Sequence, residues 1–140
     1  MKLWIFYALL SAVFAALVAI FGKIGMAAAD ATTAAALRAV VMGVFLTIVT
    51  FLAGKWPLVL SWDQRTFLFI VLSGVAGALS WLFYFLALKY GPVVGVAALD
   101  RLSVIFVVLF SVILLGNRMT WPELLGVAFI TVGAFLLIRF

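Results

Sequence analysis

An acid and a base stand side by side, Asp100 and Arg101, in the stretch VAALDRLSVIFVVLFSVILLG of Val96–Gly116, whose other residues are apolar or small apart from two serines. Two further cations, Lys23 and Arg38, interrupt other apolar runs. These side chains suit ion chemistry. A carboxylate can take up and release a proton. A guanidinium keeps its charge at neutral pH and can pair with an acid or an anion. Trp81 and Tyr84 are three residues apart, a spacing that puts both rings on one helix face, where they can wall a cavity or pack a helix contact. The chain contains no cysteine and no histidine, so it offers no thiol, no thiolate metal site and no neutral-pH imidazole. No metal centre and no cofactor is expected. With no paired carboxylates in one layer, catalysis has little to work with, and the chain does not read as an enzyme.

The elements that must hold these residues are membrane helices. The 140 residues are 70% hydrophobic and 9% charged, with a mean hydropathy of +1.47, more apolar surface than a water-soluble domain of this size can hide. The formal net charge is +5, but its basic residues are scattered between apolar runs rather than clustered, as for flanking anchors and not for nucleic-acid binding. A bilayer core takes about 20 apolar residues per helix. Punctuation divides the chain into five such runs, at about 3–28, 32–53, 66–88, 93–115 and 121–138. The first follows Lys2 like a signal peptide, but it is longer than a usual apolar signal core and more spans follow it, so it reads as a transmembrane helix. SWDQ (Ser61–Gln64) and TWPE (Thr120–Glu123) both fit a capping box, with Ser or Thr at the N-cap and Gln or Glu three residues on. The expected fold class is an all-α integral membrane protein: one domain over 1–140, a five-transmembrane-helix bundle with short connections.

Alternating helices put the connections on two sides. Trp4, Trp56, Trp62 and Trp121 fall on the side that holds Lys2, Lys55, Arg65 and Arg118, and read as an interfacial aromatic belt. From the turns on the other side, Lys23, Arg38, Asp100 and Arg101 lie at a depth of roughly 10–13 Å at 1.5 Å per residue, and Trp81 and Tyr84 share or adjoin that level. A charge at depth costs about 2.5–3.5 kcal/mol on insertion scales, so it is kept by pairing or by a wet cavity. Asp100 can pair with Lys23 or Arg38 on a neighbouring helix, less easily with Arg101, because consecutive helical side chains diverge. The layer holds three cations against one carboxylate, a surplus that suits an anion. Snorkelling of Lys23 or Arg38 to the surface, and a static salt bridge at Asp100, are the alternatives to a site. Small residues mark close helix contacts: GPVVG (Gly91–Gly95), GVAG (Gly74–Gly77), and the face of Gly126 and Gly133 with Ala134 beside it.

The phrase WLFYFLALKYGPVVGVAALDRLSVIFVVLFSVILLGNR (Trp81–Arg118) resembles the third and fourth helices of an EamA-type unit of the drug/metabolite transporter superfamily. The glycines of LLGVAFITVGAFLLI (Leu124–Ile138) resemble the fifth helix of such a unit. FGKIG (Phe21–Gly25), the intramembrane Arg38 and LDRLS (Leu99–Ser103) are more similar to the single-unit, five-helix branch. One departure is Asn117, where the family usually has an acidic residue, so Arg118 lacks that neighbour. The resemblance implies a secondary transporter of a small metabolite. Larger relatives join two five-helix units of inverted topology, so a lone unit implies a homodimer, for which an antiparallel arrangement is permitted by the small positive-inside bias. The expectation is therefore a multi-pass protein of the lipid bilayer, in a prokaryotic inner membrane, acting on a small-molecule substrate with no nucleic-acid partner. Lys23, Arg38, Asp100, Arg101, Trp81 and Tyr84 are its candidate binding or coupling residues. The competing function is a membrane accessory or binding subunit that carries nothing.

Overall fold

The computed structural model describes residues 2–139. The described residues are helical, with no strand: α1 Leu3–Gly25, α2 Ala31–Leu52, a 3₁₀ segment Trp56–Ser61, α3 Gln64–Tyr90, α4 Val93–Asp100, α5 Ser103–Leu115 and α6 Trp121–Arg139. Five stretches are long and apolar enough to cross a membrane: Leu3–Gly25, Ala31–Leu52, Gln64–Tyr90, Val93–Leu115 and Trp121–Ile138. The chain divides into two compact units, one of Ile24–Lys89 and one of Met1–Lys23 with Tyr90–Phe140.

In the Ile24–Lys89 unit, α2 begins at an N-cap read from sequence only as the end of the first span. The Asp30 carboxylate accepts from the backbone N–H of Thr32 at 2.9 Å and of Thr33 at 3.0 Å, satisfying donors that the first turn leaves unpaired. These bonds, the Thr33 one foremost, hold its pKa below the ordinary aspartate range, against the opposing effect of desolvation. α2 ends at Gly54, whose φ of +64° is a left-handed conformation that a β-carbon would strain. The SWDQ capping box is corrected here. Ser61 belongs to the 3₁₀ segment and its hydroxyl donates to the Leu58 carbonyl at 2.7 Å. The residue that caps α3 is Asp63, which accepts from Thr66 N–H at 3.4 Å and from Phe67 N–H through its carbonyl at 3.0 Å. The 3₁₀ segment takes up Ser61, which a capping box would have needed as its N-cap. Met26, Ala31, Phe85 and Leu88 are this unit's buried apolar residues.

In the other unit, α4 packs against α6. Gly95, Val96 and Ala98 are buried on α4, and Ala134 on α6. Within a bilayer there is no water to drive apolar helices together, so such contacts rest on close van der Waals approach, and small side chains permit it. The α6 contact stripe is Val127, Thr131 and Ala134 at i, i+4, i+7, with Gly133 half-buried beside it; Gly126 is exposed and lies off the stripe. The glutamate half of the TWPE box is present: Thr120 N–H donates to the Glu123 carboxylate at 2.8 Å, and Leu124 N–H donates to the Thr120 carbonyl at 3.1 Å. The fourth span departs from a single continuous helix. It breaks at Arg101–Leu102 into α4 and α5, where Arg101, Leu102, Val104 and Ile105 donate to carbonyls three residues back, the tighter 3₁₀ pattern.

Candidate functional site

Arg38 lies two turns into α2, on the stripe Ala31, Ala34, Ala35, Arg38 that is the least exposed face of that helix. The corresponding face of α3 carries Trp81, Phe85 and Leu88 at i, i+4, i+7. Between these faces the Arg38 guanidinium sits over the Trp81 ring, 3.5 Å from its centroid, and 5.7 Å from the Phe85 centroid. Trp81 in turn meets Tyr84 edge-on at 5.3 Å and Phe85 at 6.0 Å. A cation over an indole is held by the ring's quadrupole, worth about 2 kcal/mol when desolvated, and edge-on ring pairs add roughly 0.5–1.5 kcal/mol each. The aromatics thus fix the orientation of the guanidinium. Stacking uses the face of the group and leaves its N–H donors, which lie in the ring plane, for other partners. Among the described residues of this unit, no carboxylate lies within ion-pair distance of them.

The same two helices are tied at the turn beneath. Lys89 Nζ lies 3.8 Å from Asp30 Oδ2. Both side chains are substantially exposed, so the pair fixes register more than it stabilises. It also means that the charges at this end of α2 and α3 neutralise each other and leave Arg38 alone at depth.

The remaining candidates lie in the other unit. Lys23, half-buried near the end of α1, donates from Nζ to the Gly91 carbonyl at 3.0 Å. That carbonyl follows the last residue of α3, where the helix dipole favours a cation. The ammonium is therefore engaged at a turn rather than extended to a headgroup. Asp100 is the last residue of α4, and Arg101 begins the 3₁₀ break. Both side chains are exposed. The two residues that raised the question of function thus coincide with the interruption of a membrane helix, where backbone bonds tighten to the 3₁₀ pattern.

Two residues here were not singled out as candidates from sequence. Phe85 is a packing residue, 4% exposed, and it also stands 5.7 Å from the Arg38 guanidinium. Its spacing of four from Trp81 was the available signal. Gly91 was read only as a small residue, and its role is carried by its carbonyl, which no side-chain pattern reports. A separate cleft of about 300 Å³ at the α5–α6 connection is lined by Val108, Ser111, Val112, Asn117, Arg118, Met119 and Glu123. Arg118 and Glu123 both line this cleft, and the Glu123 carboxylate is engaged by the Thr120 N–H.

Five bilayer-length helices, with a guanidinium of one stacked on aromatics of the next, define a multi-pass helical membrane protein with a polar feature at depth. The chain belongs to the EamA-like transporter family, whose model matches residues 2–139. It is 44% identical over 137 residues, 98% of this chain and 97% of the relative, to an uncharacterized transporter in the cobO 3' region of Sinorhizobium sp. No solved structure matches the chain. Family and relative together support a transport role for a single small EamA unit.

Proposed function

We propose that this protein is a secondary transporter of a small anionic metabolite, working as a homodimer in a prokaryotic inner membrane. The observation that carries this reading is Arg38, a cation two turns inside a membrane helix, held by its face on Trp81 while no described carboxylate of its unit pairs with it. A charge so placed is costly, and a substrate anion that visits the site offsets that cost. Lys23, Asp100, Arg101 and Tyr84 complete the set of binding or coupling residues. Asp100 is the coupling carboxylate: protonation removes its charge, and its place at the end of α4 links that charge to the break in the fourth span. The homodimer follows from the family's architecture, in which two five-helix units build one pathway. An accessory subunit that carries nothing is the competing reading, and a stacked guanidinium with no described carboxylate partner in its unit favours transport over it.

Purified protein alone, reconstituted in liposomes and tested for counterflow against a panel of metabolites, decides between them. The expected result is saturable movement of an anion that is lost in Arg38→Gln. Asp100→Asn is expected to fold normally but to lose accumulation driven by a pH gradient. Indifference of the liposomes to every metabolite would favour the accessory role.

A further inference from the structure

We infer that the ligand of the Arg38 site is a monocarboxylate, bound edge-on by the guanidinium fork; this rests on the transport reading above and names its substrate class. Geometry and charge balance both point there. Trp81 covers one face of the guanidinium at 3.5 Å and Phe85 stands 5.7 Å from it, so a ligand must approach in the plane of the N–H donors. A planar carboxylate matches that fork with two parallel hydrogen bonds. Within the unit of Ile24–Lys89, the charge set inside the membrane helices is a single one. Along α2 and α3, Lys89 and Asp30 pair at one turn, and Lys55, Asp63 and Arg65 lie at the opposite ends of these helices, leaving Arg38 as their only charge at depth. One carboxylate cancels it. A phosphate or sulfate dianion would leave a net negative charge where the surroundings are Trp81, Phe85 and the methyls of Ala34 and Ala35, and an uncompensated charge there is costly. Tyr84, edge-on to Trp81 at 5.3 Å, adds an amphipathic wall for the ligand's carbon body.

The test uses the full chain in detergent, and the readout is tryptophan emission of the wild type minus that of Trp81→Phe. The probes are sodium butyrate, sodium lactate, inorganic phosphate and sulfate at equal ionic strength. Butyrate and lactate are expected to produce a saturable change that phosphate and sulfate do not. Arg38→Lys keeps the charge but loses the fork and is expected to weaken binding about tenfold. Arg38→Gln is expected to abolish it. Each variant is first shown to elute as the wild type does on gel filtration, and if Arg38→Gln does not, Arg38→Lys carries the comparison. An equal response to phosphate or sulfate, no response to either carboxylate, or a response unchanged by both Arg38 substitutions would overturn the inference. Lactate counterflow in liposomes separates it from the transport reading. Binding without movement upholds the site and sinks transport, whereas movement of phosphate without carboxylate binding upholds transport and sinks the monocarboxylate.

Discussion

Arg38 and Trp81 show how one contact can set both orientation and availability. The ring takes the face of the guanidinium, and what remains is a fork of donors. Trp81→Leu removes the stack and its two edge contacts, so it should lower stability by about 1–3 kcal/mol. Trp4→Phe, at an exposed interfacial position, should change it by less than about 0.5 kcal/mol. Thermal unfolding in one detergent compares the two. Asp30 gives a second prediction, with a defined sign. Its pKa is lowered in the folded protein, chiefly by the Thr33 N–H, so its contribution is present above the ordinary aspartate range and is lost as pH falls through the folded value. Asn at this position can still cap the helix but cannot titrate. The melting-temperature gap between wild type and Asp30→Asn should therefore close as pH falls below about 4. A gap constant from pH 7 to 3 would mean that the carboxylate's charge contributes nothing.

At the scale of elements, the α4–α6 contact and the break at Arg101–Leu102 belong together. α4 is anchored by buried Gly95, Val96 and Ala98, whereas α5 has no buried residue. The 3₁₀ turn between them is thus the joint between a packed and an unpacked half of one span. Small residues on the packed side make a sharp prediction. Ala134 is 4% exposed, so Ala134→Leu should overpack the seam and cost about 1–3 kcal/mol. A β-carbon on Gly126 meets nothing within 4 Å, so Gly126→Ala should leave the fold intact and gain up to about 1 kcal/mol of helix propensity. Denaturation of both variants in the same micelle checks the pair. Loss of dimer without loss of helix in Gly126→Ala would instead assign the exposed glycine face to a subunit contact.

For the whole molecule, the five spans dictate topology. Single cysteines at Lys55 and Arg118 should react with an impermeant reagent from one side of the membrane, and cysteines at Ala28 and Tyr90 from the other. If any pair from the same set labels from opposite faces in a population of uniform orientation, the span count fails. Should every position label from both faces, the chain inserts in two orientations, as an antiparallel dimer requires. Crosslinking in native membranes should trap a homodimer. Monomers alone, across protein concentrations and lipids, would remove the basis for a pathway built from two units.

Composition alone determined the class of this protein, because a chain 70% hydrophobic with five apolar runs has few folds open to it in a bilayer. Run lengths also placed most helix ends, and TWPE marked the start of α6, since these signals are local. SWDQ misled because a 3₁₀ segment ending at Ser61 competes for the same residues, and local sequence does not say which turn wins. The candidate site was legible as depth, because rise per residue converts spacing into position in a membrane. Tertiary structure decided the partners. That Arg38 lies on Trp81 and Phe85, that Lys89 reaches Asp30, and that Lys23 finds the Gly91 carbonyl depend on the rotation of helices about their axes, which a nearly uniform apolar sequence leaves unspecified. The break beside Asp100 was equally hidden. It needs no proline or glycine at its centre, only a run of backbone bonds that tighten from four residues to three, and side-chain types carry little record of that choice.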